Sequence, residues 1–550
     1  MPTVTFDKKK VLSLIGDIDD ETLKDRISMI GTDLEYVNDT EICVEIFPNR
    51  PDMLSLEGFS HAIKNFIGRG SGFEDIIPEK SNYKIIVEPK MKSIRPYTVA
   101  AVVKGISLDD ASLDSIIQLQ EKLDMTYCRK RKKAAIGVYP YDKIAWPIRF
   151  TAKKPNDIVF TPLEGKRMNA NDILEYHPAG KKYGGLIKEL EEYPLFIDTN
   201  DNILSMPPII NSDETGRVSV NDTNLFVEVS GYDLWTLDRV LSIILFALMK
   251  NNGKIFSVNI VYEGSHRLTP INDNQRIDAP ISYISRILGV NINHDDYIKL
   301  LSRMGFSYND GQVIIPTYRT DIMHPIDIAE DIGIAYGYEN FKSNILSIST
   351  IAREDPIEVF KKRIISCCIG HKFQETLSYH LMPRELALKS GAEPVMLLNP
   401  MNEEYDSLRP TVLLSLIDIC SRNKQSELPR GFFEIGRVFK TVDNSVIEYD
   451  ELAILIEDFK SDYTMIRQVY DSIIRLYNVD YEIVESSDDS SSMFFGGRHA
   501  IIMSNNRMLA EFGEIHPDIL HSMKIENPAC GLKMNIELLY DIINIENTTK

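Results

Sequence analysis

No stretch of this sequence approaches the roughly 18 apolar residues that a membrane-crossing helix requires. The longest candidate, Val240 to Met249, has only the length of a core helix. The N-terminal "MPTVTFDKKK" lacks the apolar centre of a secretory signal, so neither a membrane nor export is expected. Cysteine is scarce. The six, Cys43, Cys128, Cys367, Cys368, Cys420 and Cys530, show no paired metal spacing, and the adjacent Cys367 and Cys368 are poorly placed to bridge each other. Such usage fits a reducing cytoplasm. Gly68, Gly70 and Gly72 are followed neither by a further glycine at dinucleotide spacing nor by Gly-Lys-Ser/Thr, which removes a phosphate-loop reading. Positive charge is in deficit: 61 Lys and Arg against 81 Asp and Glu leave a net −20. That balance argues against nonspecific coating of nucleic acid, but a local basic surface would suffice for a specific contact. One basic island exists, Arg129, Lys130, Arg131, Lys132 and Lys133 in "CRKRKKAAIGVY"; taken alone it reads as a solvated loop.

What is present is ordinary for a folded chain, with 43% hydrophobic and 26% charged residues. At 550 residues more than one core is expected. A first segment, 1–85, closes on the linker-like "GRGSGFEDIIPEKSNY". A second, 90–262, is mixed α/β: β-branched runs such as "YTVAAVVKGI" alternate with turns, and one amphipathic helix is predicted over about Asp233 to Asn251. A third, 267–342, is expected to be mostly helical and helix-turn-helix-like, with one short strand at "GQVIIPTY". The last, 345–550, includes the polar run "SSDDSSS" at 486–492, expected to be a loop.

The first and third segments share an order of features: acidic helix start, helix, terminal glycine, apolar strand, Arg-x-Asp and a final helix. We read them as two copies of one unit. Aligning Arg50 and Asp52 with Arg319 and Asp321 sets Gly58 opposite Asp327 and His61 opposite Glu330. Only the second copy therefore carries the acids of "YRTDIMHPIDIAEDIGIAYGYENF", namely Asp321, Asp327, Glu330 and Asp331. One carboxylate would satisfy a helix dipole, whereas like charges three and four apart repel by a few tenths of a kcal/mol per pair. Something positive is expected to offset them. Two readings stand: a hard cation such as Mg2+, held by one or two carboxylates and water, or a lysine or arginine from a partner.

The motifs "NRPDMLSLEGF", "PPIINSDETGRVS" with "NLFVEVSGYD", the acidic stretch above, "LLNPMNEEYDSLRPT" and "GFFEIGRVF" occur in order and cover nearly the whole chain. Together they resemble the β subunit of phenylalanyl-tRNA synthetases of the archaeal and eukaryotic type. The resemblance implies a cytoplasmic α2β2 heterotetramer that attaches phenylalanine to its tRNA with ATP as substrate. In that family the α subunit carries the aminoacylation centre and the β subunit hydrolyses mischarged tyrosyl-tRNA. It further implies a Mg2+ site shared with the α subunit at Asp321, Asp327, Glu330 and Asp331. The implied fold is α+β and multidomain, with duplicated small helical domains, a mixed α/β editing module and a C-terminal class II synthetase-like antiparallel sheet lacking catalytic motifs. Glu434 and Arg437 of "GFFEIGRVF" fall where such enzymes contact ATP. No glycine-rich stretch with a clamping arginine follows, so a structural salt bridge or interface contact is expected of them.

Hydrolysis of a tyrosyl ester has a physical motive, because a pocket shaped for phenylalanine is poor at rejecting a relative that only adds a hydroxyl. A second site needs a polar group for the phenol, an anchor for the amine and a positioned water. The candidates are Asn211 and Ser212, on the stiff turn after Pro207 and Pro208, together with Glu228 and Asp233. Strand alternation in "FVEVSG" puts Glu228 and Ser230 on one face; that face meets either a cavity or water. Asp233 has the alternative of capping the following helix. His177 reads as structural, while Lys181, Lys182 and the basic island are expected beside the tRNA path. Two other classes remain: a noncatalytic tRNA-binding scaffold, and a DNA-binding regulator, which the acidic balance disfavours.

Overall fold

In the computed structural model, which describes residues 2–348, 350–485 and 493–548, the alternating "TVTFD" forms strand Thr3–Asp7 with Val4 and Phe6 buried. The polar run at 486–492 lies outside the described residues. Asp7 and Asp19 accept backbone N–H bonds at the starts of helices Lys8–Ile15 and Asp20–Met29. Strands Asp33–Val37 and Glu41–Glu45 follow, the latter taking the central place in a three-stranded antiparallel sheet. Ser55 then caps helix Leu56–Phe66.

The same plan recurs 270 or so residues later. Strand Gln275–Asp278, helices Ile281–Leu288 and His294–Arg303, strands Ser307–Asn309 and Gln312–Ile315, and helix Pro325–Tyr336 appear in that order. The last strand is again central and the pairing again antiparallel. The two segments thus share an order of elements and a sheet topology. Each copy carries three strands where a mostly helical domain was expected; those of the second copy, three or four residues long, are too short for alternation to announce them.

Between the copies lies a ten-stranded mixed sheet. It takes in strand Glu79–Val87, which crosses the boundary expected near 85, and strand Ser265–Thr269, beyond 262. Along the sheet the order runs from Ile210–Asn211 through Ile203–Met206, Tyr193–Ile197, Ile148–Lys153, Glu79–Val87, Lys254–Tyr262 and Tyr97–Lys104 to Asn224–Gly231 and Ala134–Pro140. Helix Leu234–Lys250 forms where it was predicted. Its Leu237, Val240 and Leu241 share one hydrophobic core with Val227 and Val229 of the sheet and with apolar residues of both repeat copies. These three sequence segments accordingly make one compact unit, Met1–Ile345.

The second unit, Leu346–Lys550, is built on a seven-stranded sheet that is antiparallel except for the pairing of Gln374–Glu375 with Arg430–Val442. Helices Pro356–Gly370, Tyr463–Ile474 and Ile536–Thr548 pack through Ile364, Tyr470 and Leu539 on one core, and helix Val412–Arg422 packs through Leu413 and Leu416 on another. Among the described residues no helix is long and apolar enough to cross a membrane.

Candidate functional site

The acids of the second copy find their counter-charge inside the chain. Arg319 donates from Nε and Nη2 to the two oxygens of Asp321 at 2.9 and 2.8 Å, and from Nη2 to Asp331 at 2.7 Å. Its Nη1 donates to the Met304 carbonyl at 3.1 Å. Burial raises the Asp321 carboxyl, but the Arg319 charge and hydrogen bonds outweigh it and hold the group below its ordinary value. For Asp331 burial wins, and the carboxyl sits above its ordinary value. Arg50 in the first copy repeats the fork on Asp52, again at 2.9 and 2.8 Å. The two forks face each other across a hollow of about 10 Å3, room for no more than a water.

Asp327 does different work. Its Oδ2 accepts the N–H groups of Met323 and His324, both at 2.8 Å, and completes a capping box with His324. Glu330 points from the exposed side of the same helix. The four carboxylates therefore do not converge on one point, and among the described residues no group of three or more His, Cys, Asp or Glu side chains is placed to hold a metal ion. Where a metal or a partner's cation was expected, Asp321 and Asp331 are offset by Arg319 of their own chain. The first copy cannot imitate Asp327, because a Cβ at Gly58 would lie 1.9 Å from the Asp52 carbonyl oxygen.

The middle module holds a cavity of about 600 Å3. It exists because the ten-stranded sheet curls until its two ends meet: Tyr139 on one terminal strand contacts Ser205 near the other at 2.7 Å, and Asn211 Nδ2 approaches the Val138 carbonyl at 3.5 Å. Glu228, 2% exposed, lies on the cavity wall. Alternation placed it correctly, with Val227 and Val229 turned to the opposite core. The Tyr139 hydroxyl reaches Glu228 Oε1 at 3.1 Å, while Oε2 has no hydrogen-bond partner. Burial pushes this carboxyl up to about 8, so it is mostly protonated near neutrality. Gly137 is the register partner of Glu228, and a Cβ there would meet the Tyr139 hydroxyl at 2.2 Å and Glu228 Oε1 at 2.5 Å. Only glycine lets the acid lie across its neighbour strand.

Of the four residues expected here, two line the cavity and two do not. Glu228 and Asn211 do. Ser212 is buried against Pro162 through an isolated bridge, and its N–H donates to the Leu204 carbonyl at 2.8 Å. Asp233 caps the helix, accepting from Thr236 N at 3.2 Å and Thr236 Oγ1 at 2.5 Å. Their residue type marks both as polar candidates, but type carries no direction. His177 reaches the wall, with Nδ1 accepting from Ala179 N at 3.2 Å and Nε2 left to donate to the Leu163 carbonyl at 3.0 Å; these bonds hold the loop. Tyr139 and Gly137, and Ser205 and Arg217 of the cavity wall, were missed. The alternation of "AAIGVYP" sets Gly137 and Tyr139 on one face, but nothing local announces which distant strand that face meets.

Within the basic island, Arg129, Lys130 and Arg131 take left-handed backbone angles with φ of 50°, 54° and 64°. Arg131 brackets this turn, donating to Asp124 at 2.8 Å and to the carbonyls of Pro208 and Ile209 at 3.0 and 2.8 Å. In the second unit, Glu434 is fully buried and takes hydrogen bonds from Arg409 at 2.7 Å and Ser378 Oγ at 2.8 Å. Arg437 pairs with Asp450 at 2.9 Å. Both residues are therefore engaged in internal pairs.

Two family models match the chain: the phenylalanyl tRNA synthetase beta chain CLM domain over residues 342–536, and the tRNA synthetase B5 domain over residues 277–338. A phenylalanine–tRNA ligase beta subunit from Archaeoglobus fulgidus is 33% identical over 98% of this chain and 99% of its own length. Another from Pyrococcus horikoshii is 35% identical over 90% of each chain. The crystal structure of an N-terminal fragment of the Pyrococcus horikoshii phenylalanyl-tRNA synthetase beta subunit superposes with a TM-score of 0.59 at 37% identity, covering 61% of this chain and all of the fragment. With similarity of this extent running from end to end, the chain belongs to the phenylalanine–tRNA ligase beta subunit family.

Proposed function

We propose that this protein is the β subunit of a phenylalanine–tRNA ligase, an aminoacyl-tRNA synthetase of the cytoplasm that works as an α2β2 heterotetramer. The α subunit would carry ATP-dependent attachment of phenylalanine to its tRNA. The internal pairing of Glu434 and Arg437 supports that division, since it leaves neither free for a nucleotide.

The cavity at Glu228 would hydrolyse mischarged tyrosyl-tRNA, and the observation that carries this reading is the unpartnered Oε2 of a buried, largely protonated carboxyl. A tyrosine phenol entering the cavity gains a partner in that group. A phenylalanine ring leaves it unsatisfied, at a cost of about 1–3 kcal/mol, which converts into a preference of about 5- to 150-fold for the wrong amino acid over the right one. Asn211 and Ser205 supply further polar groups on the wall for the amine and the ester.

The four carboxylates do not fit a single shared ion. For a Mg2+ shared with the α subunit, Asp327 and Glu330 are the side chains left to hold it, largely through water; Asp321 and Asp331 are taken by Arg319. Such an ion would supply positive charge between the two chains.

Deacylation of tyrosyl-tRNA and phenylalanyl-tRNA by the purified αβ complex, with Glu228→Ala beside it, tests the reading. Preferential loss of tyrosine from the wild type and its disappearance in the variant are expected. A wild-type complex that hydrolyses neither ester would leave a noncatalytic tRNA-binding scaffold as the function of this subunit.

A further inference from the structure

Tyr232 and Trp235 flank the Asp233 cap at the start of helix Leu234–Lys250, and they are 49% and 52% exposed. An exposed indole is a notable choice in a chain with two tryptophans. Both rings are held rather than loose. The Arg95 guanidinium lies 5.4 Å from the Tyr232 ring centre and that of Arg239 lies 5.5 Å from the Trp235 ring centre. These arginines are themselves fixed: Arg95 donates to Ser230 Oγ at 3.0 Å and to the Ser230 carbonyl, and Arg239 donates to the Thr317 carbonyl at 3.1 Å. The Tyr232 hydroxyl is tied to the Ile94 carbonyl at 3.2 Å. A ring backed by a buried cation and half open to solvent presents one π-face in a set pose.

The basic turn adjoins this pair. The Tyr232 N–H donates to the Lys133 carbonyl at 3.3 Å, the residue that closes the run from Arg129. Arg129, Lys130 and Lys132 are exposed, and Arg131, the bracket of the turn, lines the Glu228 cavity. The acid nearby, Asp233, is occupied by Thr236. From Tyr232 the strand leads back to Glu228 over four residues, about 13 Å. Aromatic faces beside clustered cations, in a chain otherwise strongly negative, match the chemistry of an unpaired RNA strand: bases stack, and phosphates meet the charges.

The geometry points to a stacking platform on which Tyr232 and Trp235 receive the unpaired bases of a tRNA 3′ end while Arg129, Lys130, Lys132 and Lys133 neutralise its phosphates, so that the terminal ester reaches the Glu228 cavity. This rests on the deacylation reading above and adds the surface by which RNA enters.

The test uses the full αβ complex carrying Trp235→Ala, Trp235→Phe or Tyr232→Ala. Affinity for the tRNA and the KM and kcat of tyrosyl-tRNA deacylation are measured, together with quenching of tryptophan fluorescence by an oligoribonucleotide ending in CCA. Each alanine variant is expected to weaken tRNA affinity and raise KM by about ten-fold, with a much smaller effect on kcat, and Trp235→Phe to retain most of the binding. The oligonucleotide should quench the wild type and not Trp235→Phe. Unchanged affinity and KM in both alanine variants, absence of quenching, or loss of αβ assembly with intact RNA binding would overturn the platform, the last assigning the surface to a protein contact. If the wild type deacylates nothing yet the alanine variants still lose tRNA affinity, the platform stands and the cavity's proposed reaction falls.

Discussion

Replacing Arg319 by methionine removes the charge that three short hydrogen bonds deliver to Asp321 and Asp331. The arginine side chain is 2% exposed and each aspartate 10%, so water cannot take its place. Breaking a buried ion pair by deleting one partner costs about 3–5 kcal/mol, because the remaining charge stays buried and uncompensated. For a cooperative unit the size of Met1–Ile345 this amounts to a fall in melting temperature of about 4–7 °C. Differential scanning calorimetry of the wild type and Arg319→Met, each with excess Mg2+ and with chelator, reads it out. Adding Asp331→Asn to Arg319→Met should return part of the loss, since it removes one stranded charge. The reasoning is refuted if Arg319→Met melts within about 1 °C of the wild type, or if chelator alone lowers the wild-type melt as far as the substitution does. Either result would make a metal, rather than the arginine, the partner of these acids.

Three further outcomes follow from the same geometry. The Glu228 carboxyl has an ordinary value of 4.5 and a folded value of about 8, so between those limits the native state holds a proton that the unfolded chain has lost. Its contribution to stability is complete below the lower limit and is lost as pH rises through the upper. Glu228→Gln should therefore gain on the wild type by up to about 1.4 kcal/mol per pH unit across that window, and denaturation of both at two pH values inside it checks the slope. Gly137→Ala places a methyl 2.2 Å from the Tyr139 hydroxyl and 2.5 Å from Glu228, so tyrosyl-tRNA deacylation should fall at least ten-fold while aminoacylation by the complex is retained. In the second unit a Cβ at Gly436 would meet Arg409 Nη2 at 2.1 Å. Gly436→Ala should push Arg409 off the fully buried Glu434 and cost about 2–4 kcal/mol in thermal or denaturant unfolding, with Gly436→Ser no milder.

The shared element order of the first and third segments was legible because its markers are local: glycines that stop helices, acids that start them, and the Arg-x-Asp pairs at Arg50 and Arg319. What each pair does was not legible. Arg319 stands in the same motif as the acids it neutralises, yet its bond to Asp331 depends on how a strand end packs against a helix, which spacing does not encode. Glu228 was readable from period-two alternation, whereas Tyr139 and Ser205 join it only because the sheet bends back upon itself. Asp233 shows the opposite limit, since the residue types that bind ligands are also those that cap helices, and here the helix claimed it. The sheet of the third segment escaped notice, as its strands span only three or four residues.

The opposed forks at Arg50 and Arg319 carry a consequence for how such a chain changes over time. Arg50 is repelled by Arg319 and attracted by Asp321, and Arg319 in turn is attracted by Asp52. Neither of the two similar segments is therefore at liberty to discard its pair by itself. A substitution on one side unbalances the other, and the halves are bound to drift together, like mirror-image teeth of a single clasp.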